Sequence, residues 1–166
     1  MKREAVIEGN YRYSLLRDWS EGISQVLHKR ALFIMLNPST ADAFEDDRTT
    51  NRCIDFAKQF NCTSLEIINL FAYISTDWTK VKNMGRDDAV GPKNDEYIRE
   101  ALNNCNMVIA AWGDEAITHK SDRHIELITS VLNGYRKPIY CLGKTTRRQP
   151  RHPLFLAKET KSEVFM

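Results

Sequence analysis

Three side chains with the chemistry of catalysis stand in separate polar segments: Asn37, Asp42 and His152. An asparagine amide both donates and accepts hydrogen bonds. Asn37 can therefore bind a water molecule or form paired hydrogen bonds with an amide-like edge of a ligand. A carboxylate such as Asp42 can orient a water as a general base. His152, between Arg151 and Pro153, can stabilise a developing anion or donate a proton. These three residues are the candidate catalytic residues.

Each candidate also has an ordinary structural explanation. Asn37 precedes a proline, and Asn-Pro is a frequent turn. Asp42 stands with Asp46 and Asp47 in an acidic segment that is either a solvated loop or a set of oxygen ligands for Mg²⁺. His152 could lie in a surface turn. Because an asparagine cannot act as a base, Asp47 is the alternative to Asp42 in that role.

Candidate ligand-binding residues lie in or near the same segments. Ser39 and Thr40 can present hydroxyl and backbone N–H groups to an anion. Asn69 lies in an apolar run, where an unmet amide costs about 1–3 kcal/mol. Either backbone groups satisfy Asn69, or it reads a ligand edge as asparagine reads adenine. Phe71 and Trp112 either stack on a planar ligand or pack in the core.

A basic stretch near the C-terminus could contact phosphates. Residues 134–158 contain seven Lys and Arg residues and no Asp or Glu. Within it, Arg148 and Arg151 are candidate phosphate-binding residues. The same charges also suit a solvated basic face. The net charge of +2 is too small to indicate a nucleic-acid partner by itself.

Four apolar runs of strand length must position these segments: residues 31–36, 65–71, 107–113 and 138–143. Near-continuous apolar strands are typical of a parallel sheet that is covered on both faces. Because helical patterns separate the runs, we predict an α/β fold, a three-layer α/β/α sandwich with a four-stranded parallel central sheet. The strand orders 2-1-3-4 and 3-2-1-4 both remain open.

Helix and edge-strand signals surround these four runs. Asn94 and Ser121 are predicted N-caps of two helices, and residues 11–19 alternate like an antiparallel edge strand. Another helix is indicated by apolar residues that repeat at helical spacing, namely Cys53, Phe56, Ala57 and Phe60. In parallel sheets of this kind, ligands bind beyond the carboxyl ends of the strands. We therefore expect the candidate residues to converge at one sheet edge.

Composition limits the protein class. The 166 residues, 42% hydrophobic and 28% charged, predict one globular domain over residues 1–166. No apolar run approaches the roughly 20 residues of a membrane span, and no secretion signal is visible, so a cytoplasmic protein is expected. The four cysteines form no CxxC pair and show no zinc spacing. No metal and no cofactor are indicated, and the oligomeric state is left open.

Several motifs resemble those of the DUF1643 family, bacterial and phage proteins of no established function. The sequence departs from that family after Phe71, with Ile74 where an Arg is expected and Trp78 where a Pro is expected. If that Arg binds substrate in relatives, ligand choice here differs. The matching motifs are Tyr11-Arg12-Tyr13, Met35-Leu36-Asn37-Pro38-Ser39-Thr40-Ala41-Asp42, Asp47-Arg48-Thr49, Asn69-Leu70-Phe71, Gly91-Pro92-Lys93-Asn94-Asp95, Ala111-Trp112-Gly113 and Pro150-Arg151-His152-Pro153-Leu154.

The order of three motifs also resembles, more distantly, the uracil-DNA glycosylase superfamily. Leu36-Asn37-Pro38-Ser39 is similar to its water-activating motif, and Asn69 matches its base-reading Asn in place. His152-Pro153-Leu154 is similar to its His-Pro-Ser-Pro loop but lacks the Ser-Pro. The iron–sulfur cysteines of one branch have no counterpart. The resemblance implies a single uracil-DNA-glycosylase-like domain with a nucleobase pocket.

Two functions follow as hypotheses. The first is hydrolysis of an N-glycosidic bond in DNA or in a nucleotide, with Asn37 positioning water, Asn69 reading the base and His152 stabilising the leaving base. The second is non-catalytic nucleotide binding, as a sensor or a phage sequestering protein. A scaffold with an empty pocket is the third possibility. The first two predict a nucleobase-containing partner and no membrane.

Overall fold

The computed structural model describes residues 1–118, 122–132 and 134–166. Ser121, a predicted helix cap, lies outside these ranges. Within them, seven strands form one mixed sheet with the spatial order β1-β2-β4-β3-β5-β6-β7. The strands are β1 (Lys2–Glu8), β2 (Tyr11–Asp18), β3 (Arg30–Met35), β4 (Ser64–Asn69), β5 (Met107–Ala110), β6 (Ile139–Cys141) and β7 (Glu163–Val164).

The four apolar runs form the parallel centre of this sheet. β4 pairs in parallel with β3, β3 with β5, and β5 with β6. In the numbering of the predicted strands, this order is 2-1-3-4. The α/β class is confirmed. The sheet is larger than the predicted four-stranded parallel sheet, because antiparallel strands extend it on both sides.

The N-terminal hairpin corrects the predicted edge strand. β2 runs antiparallel to β4, as predicted, but it is not at the edge because β1 pairs with its other side. β1 was missed since most of its residues are exposed, so it lacks the apolar run of a buried strand. Its turn to β2 includes Gly9 at φ +58°, a left-handed conformation that favours glycine.

Helices cover both faces of the sheet. The α-helices of the described residues are α1 (Arg48–Gln59), α2 (Trp78–Asn83), α3 (Arg86–Val90), α4 (Asn94–Asn103), α5 (Glu115–Thr118) and α6 (Arg123–Glu126). A π-helical turn, Leu127–Val131, continues α6, and short 3₁₀ turns cover Gln25–Leu27 and Pro153–Phe155. The helical spacing from Cys53 to Phe60 is confirmed by α1, although Phe60 is its C-cap.

Asn94 has a different role from the predicted one. Lys93 is the N-cap of α4, and Asn94 is its first helical residue. The buried Asn94 side chain instead donates hydrogen bonds to the backbone oxygens of Asn69 and Leu70, each at 3.0 Å. This side chain therefore fastens the start of α4 to the carboxyl end of β4.

Alternating residues of the central strands build two separate cores. Leu32 and Ile34 of β3 pack in one core with Ile98 of α4. Phe33 of β3 packs in the other core with Phe56 of α1. This alternation follows from the two-residue repeat of a strand. With both faces covered, the carboxyl edge of the parallel strands is the place where loops can enclose a ligand.

No helix in the described part of the chain combines the length and the apolar character that a membrane span requires.

Candidate functional site

A cavity of about 200 Å³ lies at the carboxyl ends of β3 and β4. Its wall includes the segment after β3, the start of α1, residues 75–78 and His152. It also includes Arg12, because β2 is antiparallel and brings its amino end to this edge. Four of the sequence-predicted site residues meet in this wall: Asn37, Ser39, Asn69 and His152.

Asn69, the last residue of β4, has a buried and unpaired side chain. It is only 1% exposed. Neither its amide nitrogen nor its amide oxygen has a hydrogen-bond partner among the described residues. An unmet buried amide costs about 1–3 kcal/mol. The backbone does not satisfy this side chain, so its donor and its acceptor are both available to a ligand.

Arg12 carries a second unpaired polar group in the same wall. The side chain is 4% exposed, and its Nη1 donates to the backbone oxygen of Ala41 at 2.7 Å. Its Nε–H has no acceptor within the described chain. Burial lowers the pKa of Arg12 to about 10, an effect that the charge of Asp47 opposes. Arg12 is therefore a buried cation at neutral pH with an unused donor.

Asn37 ties two walls of the cavity together. Its Nδ2 donates to the backbone oxygens of Pro38, at 3.1 Å, and Ser75, at 2.9 Å. Both amide hydrogens are thereby used. Its Oδ1 accepts no hydrogen bond from the residues that the structure describes. Asn37 thus holds the 75–78 segment in place and offers an acceptor.

Asp47 supplies a carboxylate to the cavity. It is the N-cap of α1, and its Oδ1 accepts from the backbone N–H of Thr50 at 2.7 Å. Its Oδ2 has no hydrogen-bond partner in the described ranges. Its negative charge counteracts the effect of burial on the pKa of both Arg12 and His152. One carboxylate oxygen is therefore fixed by the helix, and the other is free to hold water.

His152 is held as a neutral donor. Burial lowers its pKa, with a smaller opposing effect from Asp47. Its Nδ1 accepts from the backbone N–H of Leu154 at 3.3 Å, capping the short turn Pro153–Phe155. Since a neutral imidazole that accepts at Nδ1 carries its hydrogen on Nε2, Nε2–H is the group left for a ligand.

The aromatic residue of the cavity wall is Trp78, at the start of α2. Phe71 is fully buried beneath it, with ring centroids 5.5 Å apart. Trp112 is 2% exposed and does not line the cavity; its Nε1 donates to Gln149 at 3.0 Å. Of the two predicted stacking residues, Phe71 supports the cavity wall from behind and Trp112 holds the 145–150 turn.

The remaining predicted residues lie outside the cavity. Thr40 is exposed. Asp42 forms a turn in which its Oδ1 accepts from the backbone N–H groups of Phe44 and Glu45. Arg148 and Arg151 are exposed in the segment between β6 and His152.

The acidic segment does not form a joint cation site. Asp42 closes a turn, Asp46 pairs with the buried Arg17 at 2.6 Å, and Asp47 caps α1. Among the described residues there is no group of three or more His, Cys, Asp or Glu side chains placed to share a metal ion. Each carboxylate thus has its own structural partner.

Sequence reasoning missed Arg12, Trp78 and the hydroxyl residues of the wall, Thr49, Thr50, Ser75 and Thr76. Asp47 was considered only as an alternative base. Ligands are expected at the carboxyl ends of parallel strands, so this rule does not predict Arg12 as a site residue, because Arg12 lies near the amino end of a strand. The usable signal was the predicted antiparallel direction of residues 11–19, which places their amino end at this edge.

A family model described as "Protein of unknown function (DUF1643)" matches residues 12–154. This range includes every cavity residue named above. No curated protein matches the chain, and no solved structure matches it.

Proposed function

The chain belongs to the DUF1643 family, and we propose that it binds a nucleobase ring of a nucleotide or of DNA in this cavity. The observation that carries the proposal is Asn69, whose buried amide offers an unused donor beside an unused acceptor. That pair is complementary to the edge of a nucleobase, where a donor and an acceptor also stand side by side.

The size and wall of the cavity favour a single nucleobase. Its volume of about 200 Å³ is below the roughly 300–1,000 Å³ of pockets for drug-sized ligands. Trp78 lines the cavity, and aromatic side chains stack on nucleobases. The sugar and phosphates of the ligand would therefore remain outside, at the mouth.

The positions of three motif residues in the sheet support the proposal that the fold is similar to that of uracil-DNA glycosylases. Asn37 follows β3, Asn69 ends β4 and His152 follows β6, and all three contribute to one cavity. Four parallel strands form the centre of the sheet. This order of motifs, rather than overall likeness, is the support for a nucleobase site.

The exposed arginines between β6 and His152 would contact phosphates. Arg147, Arg148 and Arg151 are all exposed. A polynucleotide ligand would have to flip its base into the cavity, at a cost of a few kcal/mol. A free nucleotide would avoid that cost and use the same residues.

Calorimetric titration with uracil, thymine, cytosine, hypoxanthine and adenine tests the proposal. At least one base should bind, and Asn69→Leu should weaken that binding at least about tenfold. Thr40→Ala, a change at an exposed site outside the cavity, is the control and should leave affinity unchanged. Failure of every base to bind, or unaltered binding to Asn69→Leu, would contradict the proposal.

Hydrolysis of an N-glycosidic bond is the second candidate function. It is favoured because the Asp47 carboxylate and the neutral His152 share the cavity. Asp47, with Asn37, would orient a water that attacks the anomeric carbon, and Asp47 would accept its proton. The carbon–nitrogen bond breaks, and the Nε2–H of His152 stabilises the departing base anion.

An excision assay tests this candidate with labelled single- and double-stranded oligonucleotides that carry uracil, mismatched thymine or hydroxymethyluracil. Asp47→Asn removes the carboxylate charge but retains a good helix cap, and His152→Gln removes the imidazole. Cleavage by the wild type that is lost in both variants is the expected result. No cleavage by the folded wild type would overturn hydrolysis and leave nucleobase binding as the function.

A further inference from the structure

We propose that Arg12 makes this cavity selective for rings that carry an oxo group, such as uracil, thymine, hypoxanthine and guanine, over adenine. The inference rests on the proposed function, which it deepens by naming the class of base. It starts from the buried Nε–H of Arg12, which has no acceptor in the described chain although the residue lines the cavity.

Asn69 by itself cannot make this distinction. Rotation of its amide by half a turn exchanges donor and acceptor, so it can match an oxo-bearing edge or an amino-bearing edge. A guanidinium has donors and no acceptor. Arg12 can therefore satisfy a ring oxygen, whereas an amino group at the same position would face it as a second donor.

The charge of the cavity favours a neutral oxo group over an anion. Arg12 remains protonated at neutral pH, because burial lowers its pKa only to about 10. Asp47 lies close enough to oppose that shift and lines the same cavity. A carboxylate or phosphate placed beside Arg12 would also meet this negative charge, whereas the partial charge of a carbonyl oxygen would not be repelled as strongly.

Hypoxanthine and adenine form the matched pair that tests the inference, since they differ in the oxo or amino group at one ring position. 4-Pyrimidinone and 4-aminopyrimidine form the corresponding one-ring pair. The wild type should bind the oxo member of each pair at least about tenfold more tightly, the effect of one hydrogen bond to a charged donor. In Arg12→Met this ratio should fall to near one.

Arg17→Met is the control for a purely structural effect. Arg17 is the other buried arginine of β2, and it too binds the 41–46 segment, through the backbone oxygen of Asp42 and the carboxylate of Asp46. Loosening this segment should weaken the binding of all bases by a similar factor and leave the oxo-to-amino ratio unchanged. Arg12→Lys, which keeps the charge, should retain part of the preference.

The possible results separate the two proposals. If no base binds the wild type, both are overturned. If bases bind through Asn69 but oxo and amino rings bind equally, the role of Arg12 is overturned and nucleobase binding stands. An oxo preference that survives in Arg12→Met likewise removes Arg12 as its cause.

Discussion

At the residue scale, Asn69 at the end of β4 and Asn94 at the start of α4 are both buried, but their side chains are used differently. Asn94 uses its amide nitrogen twice, on the backbone oxygens of Asn69 and Leu70. Asn69 uses neither amide atom. Since an unmet polar group opposes folding, the Asn69 side chain is explained better by ligand binding than by stability.

This contrast predicts opposite effects on stability. Asn69→Leu should increase the free energy of unfolding by about 1 kcal/mol or more, because it removes an unsatisfied buried amide. Asn94→Leu should decrease it by about 1–3 kcal/mol, because it removes two buried hydrogen bonds to backbone oxygens. The oxygen of Leu70 keeps its hydrogen bond from Arg123. Urea denaturation of both variants measures the difference. A loss of stability in Asn69→Leu as large as in Asn94→Leu would refute this account of Asn69.

A second prediction concerns the protonation of His152. Burial lowers its pKa from an ordinary value of 6.5, so the unfolded chain binds more protons than the folded protein just below that pH. Stability should therefore fall as the pH drops below about 6.5, until the folded pKa is passed. His152→Gln removes this contribution and should lose less stability between pH 7 and pH 5.

Thermal denaturation across this pH range measures the effect. The pKa of His124 is also lowered by burial, but His124 is present in both proteins and cancels in the comparison. Ligand affinity should fall over the same interval, because protonation of Nδ1 breaks its hydrogen bond with Leu154. Parallel stability curves for wild type and variant would show that His152 does not titrate as described.

The sequence could identify candidate residues but not decide their roles. It presented Asn69 as either satisfied or ligand-reading, and only contacts across the fold separate these alternatives. It left Trp112 as either a stacking residue or a core residue, and the structure buries this side chain outside the cavity with its indole N–H on Gln149. These outcomes depend on which side chains meet across the sheet, and local spacing does not encode that.

At the element scale, two buried arginines of β2 hold the segment that follows β3. Arg17 is fully buried; its Nε donates to Asp46 at 2.6 Å, and its Nη1 donates to the backbone oxygen of Leu16 at 2.8 Å. Arg12 binds the backbone of Ala41. The segment carries Asn37 at its start and Asp47 at its end, so its anchoring positions the cavity.

Removing the carboxylate of Asp46 should loosen this anchor. Asp46→Asn leaves the buried Arg17 cation uncompensated and should cost about 3–5 kcal/mol of stability. Asp55→Asn is the matched control, because Asp55 pairs with Arg52 while 59% exposed; it should cost about 1 kcal/mol or less. Denaturant unfolding compares the two, and equal losses would argue against a special anchoring role for Asp46.

Trp78, at the start of α2, provides a spectroscopic prediction. If a nucleobase stacks on this residue, ligand binding should quench tryptophan fluorescence. The change should disappear in Trp78→Phe and persist in Trp112→Phe, whose indole binds Gln149 away from the cavity. Trp78→Ala should weaken binding by about 1 kcal/mol or more, roughly fivefold. Quenching that depends on Trp112 instead would place the ligand elsewhere.

Helices and strands were easier to predict than side-chain contacts, because the spacing of apolar residues along the sequence reflects which face of an element is buried. The central strands and α1 bury one face or both, so their apolar spacing reveals them. Most residues of β1 are exposed, and β7 is only two residues long. Neither strand therefore shows an apolar pattern in the sequence. The short helices around Trp78 and Arg86 likewise lack enough turns to show a repeat.

At the scale of the whole molecule, the direction of the strands assigns the basic residues to two edges. Arg136 and Lys137 precede β6, at the amino edge of the parallel strands. Arg147 and Arg148 follow β6, at the carboxyl edge that holds the cavity. The stretch that the sequence shows as one basic segment is therefore divided between opposite ends of the sheet.

This division predicts which charges an oligonucleotide would contact. The double variant Arg147→Ala/Arg148→Ala should weaken oligonucleotide binding and reduce its salt dependence by about one to two units of slope. The double variant Arg136→Ala/Lys137→Ala removes the same amount of charge at the other edge of the sheet. It should change neither the affinity for the oligonucleotide nor the salt dependence of that affinity. Nucleobase affinity should be the same in both. Fluorescence anisotropy at several salt concentrations measures these slopes, and equal effects would indicate nonspecific attraction.

The most direct test of the central claim follows the Asn69 amide itself. In a ¹H–¹⁵N spectrum its side-chain signals can be assigned by their loss in Asn69→Leu. At a saturating concentration of a base that binds, at least one Nδ2 proton should shift downfield and exchange more slowly with water, since it gains an acceptor. Unchanged Asn69 signals in the presence of that bound base would contradict the claim that this cavity reads a nucleobase through Asn69.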